Sequence, residues 1–131
     1  MSKGRVLNIS FAHLTTEHLD LLSRNGLIHN REVGDKRTLL PIISEDMPPE
    51  AVRELVTETV EKEKITSDDL IIVSGTPDVT FYTLVAIRSR VKENPMVLFT
   101  IGRKGPNGFK VTGFRQILLE ADGKPGVLIV T

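Results

Sequence analysis

Cysteine is absent from this 131-residue chain. That excludes disulfides, thiolate metal sites and thiol redox chemistry. Tryptophan is absent too, and five Phe and one Tyr make up the whole aromatic complement. So few rings argue against an open stacking surface for single-stranded nucleic acid. Net charge is also missing, because 17 basic residues balance 17 acidic ones. A chain with no net charge is not held on long DNA or RNA by bulk attraction. The apolar runs are too short to span a bilayer. No apolar signal region follows Met1-Ser2-Lys3-Gly4-Arg5, which predicts a cytoplasmic protein with no membrane partner.

What is present fits a single domain over residues 1–131, whose 40% apolar residues are enough for one core. The balanced charge is unevenly spread. Between Glu45 and Asp69 lie nine acidic residues against three basic ones, Arg53, Lys62 and Lys64. Between Val79 and Ile117 the bias reverses: Arg88, Arg90, Lys92, Arg103, Lys104, Lys110 and Arg115 meet only Glu93. A neutral chain with a basic third can attract a small polyanion without attracting every acidic molecule. The same charges can also be no more than the solvated faces of helices and a hairpin.

Arg5 to Ser10 reads as a short buried strand. Thr15 or Thr16 suits a helix N-cap, Leu19, Leu21 and Leu22 supply an apolar face, and Asn25-Gly26 ends the helix. Leu27 to Val33 predicts a second strand, Gly34-Asp35-Lys36 a turn, and Leu39 to Ile43 a further apolar run. Pro48 and Pro49 open a helix along which Val52, Leu55, Val56, Thr59 and Val60 recur at helical spacing. Leu70 to Val73 is a strand. Thr76, Pro77 and Asp78 suit the cap and first two positions of a helix running to about Lys92. Phe81, Leu84, Val85, Ile87 and Val91 cover so much of its circumference that it is expected to be well buried. Met96 to Ile101 predicts a strand and Gly102 to Gly108 a loop that begins with Arg103 and Lys104. Phe109 to Leu119 predicts a strand with a bulge near Gly113, and Val127 to Val130 a last strand.

Strands alternating with helices imply a mostly parallel sheet covered on both faces. The expected fold is a small Rossmann-like α/β sandwich with an antiparallel C-terminal extension. Ligands in such folds sit beyond the carboxyl ends of the strands. Two loops qualify, residues 10–15 and residues 74–80. In the second, Ser74-Gly75-Thr76 lets a phosphate approach the unpaired N–H groups of a helix N-terminus. Asp78 opposes that reading, since its carboxylate already occupies the first turn, but it can instead accept from an adenine amino group or a ribose hydroxyl. The loop is equally readable as an ordinary strand-to-helix turn. It is not a Walker motif, and no G-x-G-x-x-G occurs.

His13 lies in the first loop, where it can serve as an acid, a base or a donor to phosphate, or be a plain surface histidine. His18 and His29 complete no metal site, because no His pair has helical i, i+4 spacing and no carboxylate cluster accompanies them. No G-x-S-x-G elbow supports a serine hydrolase. No metal or cofactor is expected.

The stretch "RVLNISFAHLTTEHLDLL" resembles the opening of small CRISPR-associated proteins of type III systems, in which Leu-Asn-Phe-Ser-His-Pro-Leu-Thr is a typical run. The stretch "LIIVSGTPDVTFYTLVAIRSRVKENPMVLFTIGRKGPNGFKVTGFRQILL" is similar to the second half of that family: strand, small-residue loop, apolar helix, strand ending in Arg, Pro/Gly loop, and a strand near an Ile-Leu pair. The resemblance implies a CARF-like fold and a place among ring nucleases and other binders of cyclic oligoadenylate, the second messenger of type III CRISPR defence. It implies site roles for Asn8, Ser10 and His13, for Ser74, Gly75, Thr76 and Asp78, and for Arg103. Lys104 joins Arg103 as a phosphate partner on charge, and Phe11 belongs to the first loop. The chain departs from the family there, because Phe11 and Ala12 separate Ser10 from His13.

Cyclic tetra-adenylate suits a homodimer, whose two-fold axis doubles the loops and basic residues around one ring. A ligand-linked oligomer is the other expected assembly. Three readings remain: a protein that sequesters the messenger, a metal-independent ring nuclease using His13, and an α/β interaction module with no nucleotide ligand.

Overall fold

The computed structural model describes residues 4–34, 36–120 and 122–130, so Asp35 of the expected turn lies outside the described residues. The elements in chain order are β1 (Gly4–Ile9), α1 (Thr16–Arg24), β2 (Arg31–Val33), α2 (Pro49–Glu63), β3 (Leu70–Val73), α3 (Pro77–Arg90), β4 (Met96–Gly105), β5 (Gly108–Gln116) and β6 (Leu128–Val130). They form a sheet of six strands in the order β2-β1-β3-β4-β5-β6. The first four strands are parallel, and β5 and β6 are added antiparallel. This is an α/β arrangement around a mixed six-stranded sheet, with the expected antiparallel extension. No helix among the described residues is long and apolar enough to cross a membrane.

Strand periodicity sorts the core into two layers. Val6, Leu70, Ile72, Leu98 and Phe114 point to one face, where Leu21 and Leu22 of α1 cover them. Leu7, Ile9, Ile71, Val73 and Val97 point to the other, under Val52, Val56 and Val60 of α2 and Val79, Ala86 and Ile87 of α3. β3 is buried on both faces, which is why it reads as an unbroken apolar run.

The structure departs from the sequence reading in four places. First, the strand expected over Leu27 to Val33 shrinks to Arg31–Val33. A Schellman cap uses the preceding residues: Gly26 N–H donates to Ser23 O, Leu27 N–H donates to Leu22 O, and Gly26 has φ 73°. Second, the run from Leu39 to Ile43 forms no strand. Pro41 within it has no N–H to give a ladder, and Ile42 is 95% exposed. Third, the loop expected over Gly102 to Gly108 is the end of a hairpin, with only Pro106-Asn107 between the paired Gly105 and Gly108. The register slips between Ile101 and Gly102 and leaves Thr112 as the extra residue, beside Gly113 as anticipated. Fourth, α3 is not buried all round. Val79, Thr83, Ala86 and Ile87 are buried, but Phe81 and Val85 stand out. The fold supplies a single layer of helix on that face, so none of the described residues covers the outer side of α3.

Candidate functional site

The chain leaves β1 for β2 on one side and then crosses back to β3 and β4 on the other. The reversal opens a crevice beyond the carboxyl ends of β1 and β3. A cavity of about 750 Å³ lies there. Both loops singled out from the sequence meet in it: Phe11, Ala12 and His13 from the first, Ser74 and Gly75 from the second. The far wall is Phe99 and Thr100 of β4 with Phe109, Lys110 and Val111 of β5, and the start of α1 adds Thr15, Glu17 and His18.

Asn8 and Ser10 are fully buried and build the first loop from beneath, outside the cavity lining. The Asn8 amide donates to the carbonyls of Ala12 (2.8 Å) and Lys36 (3.2 Å). The Ser10 hydroxyl donates to Asn8 Oδ1 at 2.5 Å and also lies 2.9 Å from the Ala12 carbonyl. Thr38 Oγ1 donates to the Ser10 carbonyl, and Leu14 N–H donates to the Lys36 carbonyl. The segment after β2 is thereby tied around the loop. The Ser10 and Ala12 carbonyls and the Ala12 and Leu14 N–H groups are thus satisfied within the chain, and Phe11 and His13 are left exposed.

Gly75 has φ 132°, a conformation that favours glycine. A Cβ placed there would stand 3.1 Å from the Phe11 ring. Gly75 therefore holds the turn and lets the Phe11 ring lie against it. Gly102 does the same at the opposite wall, where a Cβ would meet the Phe109 ring at 2.4 Å and the Lys110 carbonyl at 2.3 Å. Two glycines thus admit two rings, and these rings are 49% and 61% exposed.

Thr76 and Asp78 lie outside the cavity lining. The Asp78 carboxylate accepts from the Thr76 hydroxyl and from the Val79 N–H, and these bonds hold its pKa below the ordinary carboxylate value. The first turn of α3 is thus occupied by its own carboxylate rather than left open to an anion. Arg103 and Lys104 also lie outside the lining. Their cross-strand partners in the hairpin, Lys110 and Phe109, take the places inside it. Among the described residues no ion pair joins Arg103, Lys104 or Lys110 to an acid.

His18 has no metal-type spacing in the sequence, yet it lines the cavity. It occupies the N3 position of a capping box: its N–H donates to Thr15 Oγ1 (3.2 Å), and its Nδ1 accepts from Thr15 N–H (3.1 Å). With Nδ1 accepting, the neutral ring carries its proton on Nε2. Burial lowers the pKa of His18, against a smaller upward pull from Glu17. Its ring meets Phe114 edge-on, with centroids 6.2 Å apart. The signal in the sequence was Thr-x-x-His at a helix start. Lys110, Phe99, Phe109, Thr100 and Val111 had no local signal, because only the hairpin register brings them here.

Among the described residues no group of three or more His, Asp or Glu side chains lies close enough together to hold a metal ion. The arrangement offers flat apolar faces for a planar ring, hydroxyl and imidazole groups, one cation, Lys110, and one carboxylate, Glu17. No family model matches this chain, and neither the curated proteins nor the solved structures yield a match.

Proposed function

We propose that the crevice cavity binds a nucleotide, and that the ligand is a cyclic oligoadenylate, held intact so that its free level falls. The observation that carries this reading is the convergence of Phe11 and Phe109, both half-exposed, on one cavity that also holds Lys110 and His18. An adenine base stacks on such rings, each stack contributing about 1–3 kcal/mol. Lys110, with Arg103 and Lys104 behind it on the hairpin, meets phosphates as a cationic rim. The choice of a cyclic oligoadenylate within the nucleotide class rests on the sequence resemblance. A ring of four adenylates has the symmetry to be shared by two chains.

Sequestration is favoured over cleavage by the state of the two histidines. His13 is exposed and has no hydrogen bond from another described residue to orient its ring. The Nδ1 of His18 is engaged by the Thr15 N–H. A general base needs an orienting partner and a free lone pair within reach of the 2′-hydroxyl it serves. The test is incubation with cyclic tetra-adenylate followed by chromatography. Intact ligand retained by the protein is the expected result. Linear products would establish the ring-nuclease reading and point to His13. Passage of the ligand without retention would leave an interaction module that binds no nucleotide of this class.

A further inference from the structure

We propose that the outer face of α2 and α3 is a homodimer interface, on which a second copy of this chain docks about a two-fold axis lying in the plane of contact. Phe81 is 61% exposed and Val85 47% exposed, and with Ser89 they form one stripe along α3 at i, i+4, i+8. Arg53, Thr57 and Glu61 form the matching stripe along α2. Between the stripes runs a groove of about 480 Å³, into which Tyr82 and Arg90 also face. The Phe81 and Tyr82 rings meet edge-on at 6.0 Å. An apolar aromatic centre bordered by arginine is the composition of a protein–protein contact, where Tyr, Phe and Arg are enriched and Lys is depleted.

Charge selects the partner. Among the described residues Arg53, Glu61 and Arg90 enter no ion pair within the chain. α2 and α3 each lead back from the end of one parallel strand to the start of another, so they run in the same direction. The exposed charges of α2 are mostly acidic, Glu50, Glu54, Glu58 and Glu61 against Arg53 and Lys62, whereas the last turn of α3 is basic. A two-fold axis across the helices would lay α2 on its counterpart, acid against acid, and is disfavoured. An axis along the helices lays α2 on α3 of the other copy and sets Glu61 toward an Arg90, twice per dimer, around the Phe81–Val85 stripe.

The groove shares no residue with the crevice cavity, so this inference stands apart from the proposed ligand. The experiment is sedimentation equilibrium of the full chain without ligand. A dimer is expected, and Phe81→Asp should raise its dissociation constant roughly 30-fold or more, the effect of removing a central interface anchor. Val85→Lys should do the same and serves as the second variant if Phe81→Asp folds poorly by circular dichroism. Glu61→Arg should weaken the dimer, and adding Arg90→Glu should restore it, whereas rescue by Arg53→Glu instead would overturn the axis along the helices. A monomeric parent chain overturns the proposal and leaves the face to a different partner. A dimer indifferent to both Phe81→Asp and Val85→Lys overturns it as well. Rescue by neither arginine change removes the charge argument for a second copy.

Discussion

Where the parallel strands begin, Arg5 is joined to Glu63 and Asp69, whereas where they end Phe11 and Phe109 stand exposed and, among the described residues, Arg103 and Lys110 enter no ion pair. At the first end Asp69, 1% exposed, accepts from the Arg5 N–H (2.9 Å), Arg5 Nη2 (3.0 Å) and the Thr66 N–H (2.9 Å). The Arg5 guanidinium also donates to the Glu63 carbonyl at 2.7 Å, which pins the end of α2 to the start of β1. At the second end Phe11 and Phe109 face open space, and Arg103 and Lys110 sit directly opposite each other across the hairpin. Like charges so placed repel. The first end is tied together by ion pairs and hydrogen bonds, and the second leaves rings and cations exposed where the proposed nucleotide would sit. The two ends should therefore separate in experiment, with substitutions at one moving stability and at the other moving affinity.

The largest effect is expected at the closed end. Asp69→Ala strands part of the Arg5 charge and removes three well-placed acceptor bonds, at a cost of about 3 kcal/mol of stability in urea titration. Ligand affinity of the folded fraction should be unchanged, and a loss of affinity at full folding would break the separation. Burial pushes the Asp69 pKa up, but the bonds from Arg5 and Thr66 outweigh it and hold the pKa below its ordinary value. Its contribution is therefore complete above about pH 4 and is lost as pH falls through the lower folded value.

At the open end Phe11→Ala should weaken binding of cyclic tetra-adenylate by about 2 kcal/mol in calorimetric titration, with little change in melting temperature. The reverse pattern would make Phe11 a packing residue. Gly75→Ala joins the two properties, because the φ of 132° and the 3.1 Å approach to Phe11 strain both the turn and the ring. It should cost about 1–2 kcal/mol of stability and also reduce affinity. Gly75→Asn should fare no better, because asparagine tolerates φ near +60° rather than this value.

His18 gives a smaller effect with a definite sign. Its folded pKa lies below the ordinary imidazole value, so below about pH 6.5 the unfolded chain takes up a proton that the folded chain resists. Stability should fall between about pH 7 and pH 5, and the fall should be shallower in His18→Gln. Equal slopes in the two proteins would show that the capping imidazole does not resist protonation. The smallest effect belongs to Lys110→Gln. It relieves the opposition to Arg103 and should raise stability by a few tenths of a kcal/mol while lowering ligand affinity. Opposite signs from one substitution are the sharpest mark of a residue kept for binding at the expense of stability.

The amino-acid sequence by itself determined the rhythm of the fold. The apolar run of β3, the proline starts of α2 and α3 and the Asn25-Gly26 stop are local signals, and each acts through backbone chemistry within a few residues. From those signals followed the parallel sheet, the antiparallel addition and the two loops that meet at the crevice. The rest was decided by tertiary structure. The resemblance implied ligand contacts at Asn8 and Ser10, yet both are buried and frame the loop from beneath. Phe81 and Val85 read as core because apolar residues surround α3, yet one layer of helix leaves its outer side uncovered. Arg103 and Lys104 read as the cationic wall because they follow β4. A hairpin register with one extra residue put Lys110 and Phe109 there instead. Where apolar residues lie all round an element, as on α3, local sequence does not say which face will find a neighbour. That depends on strand order and register, and these arise only when distant segments pack together.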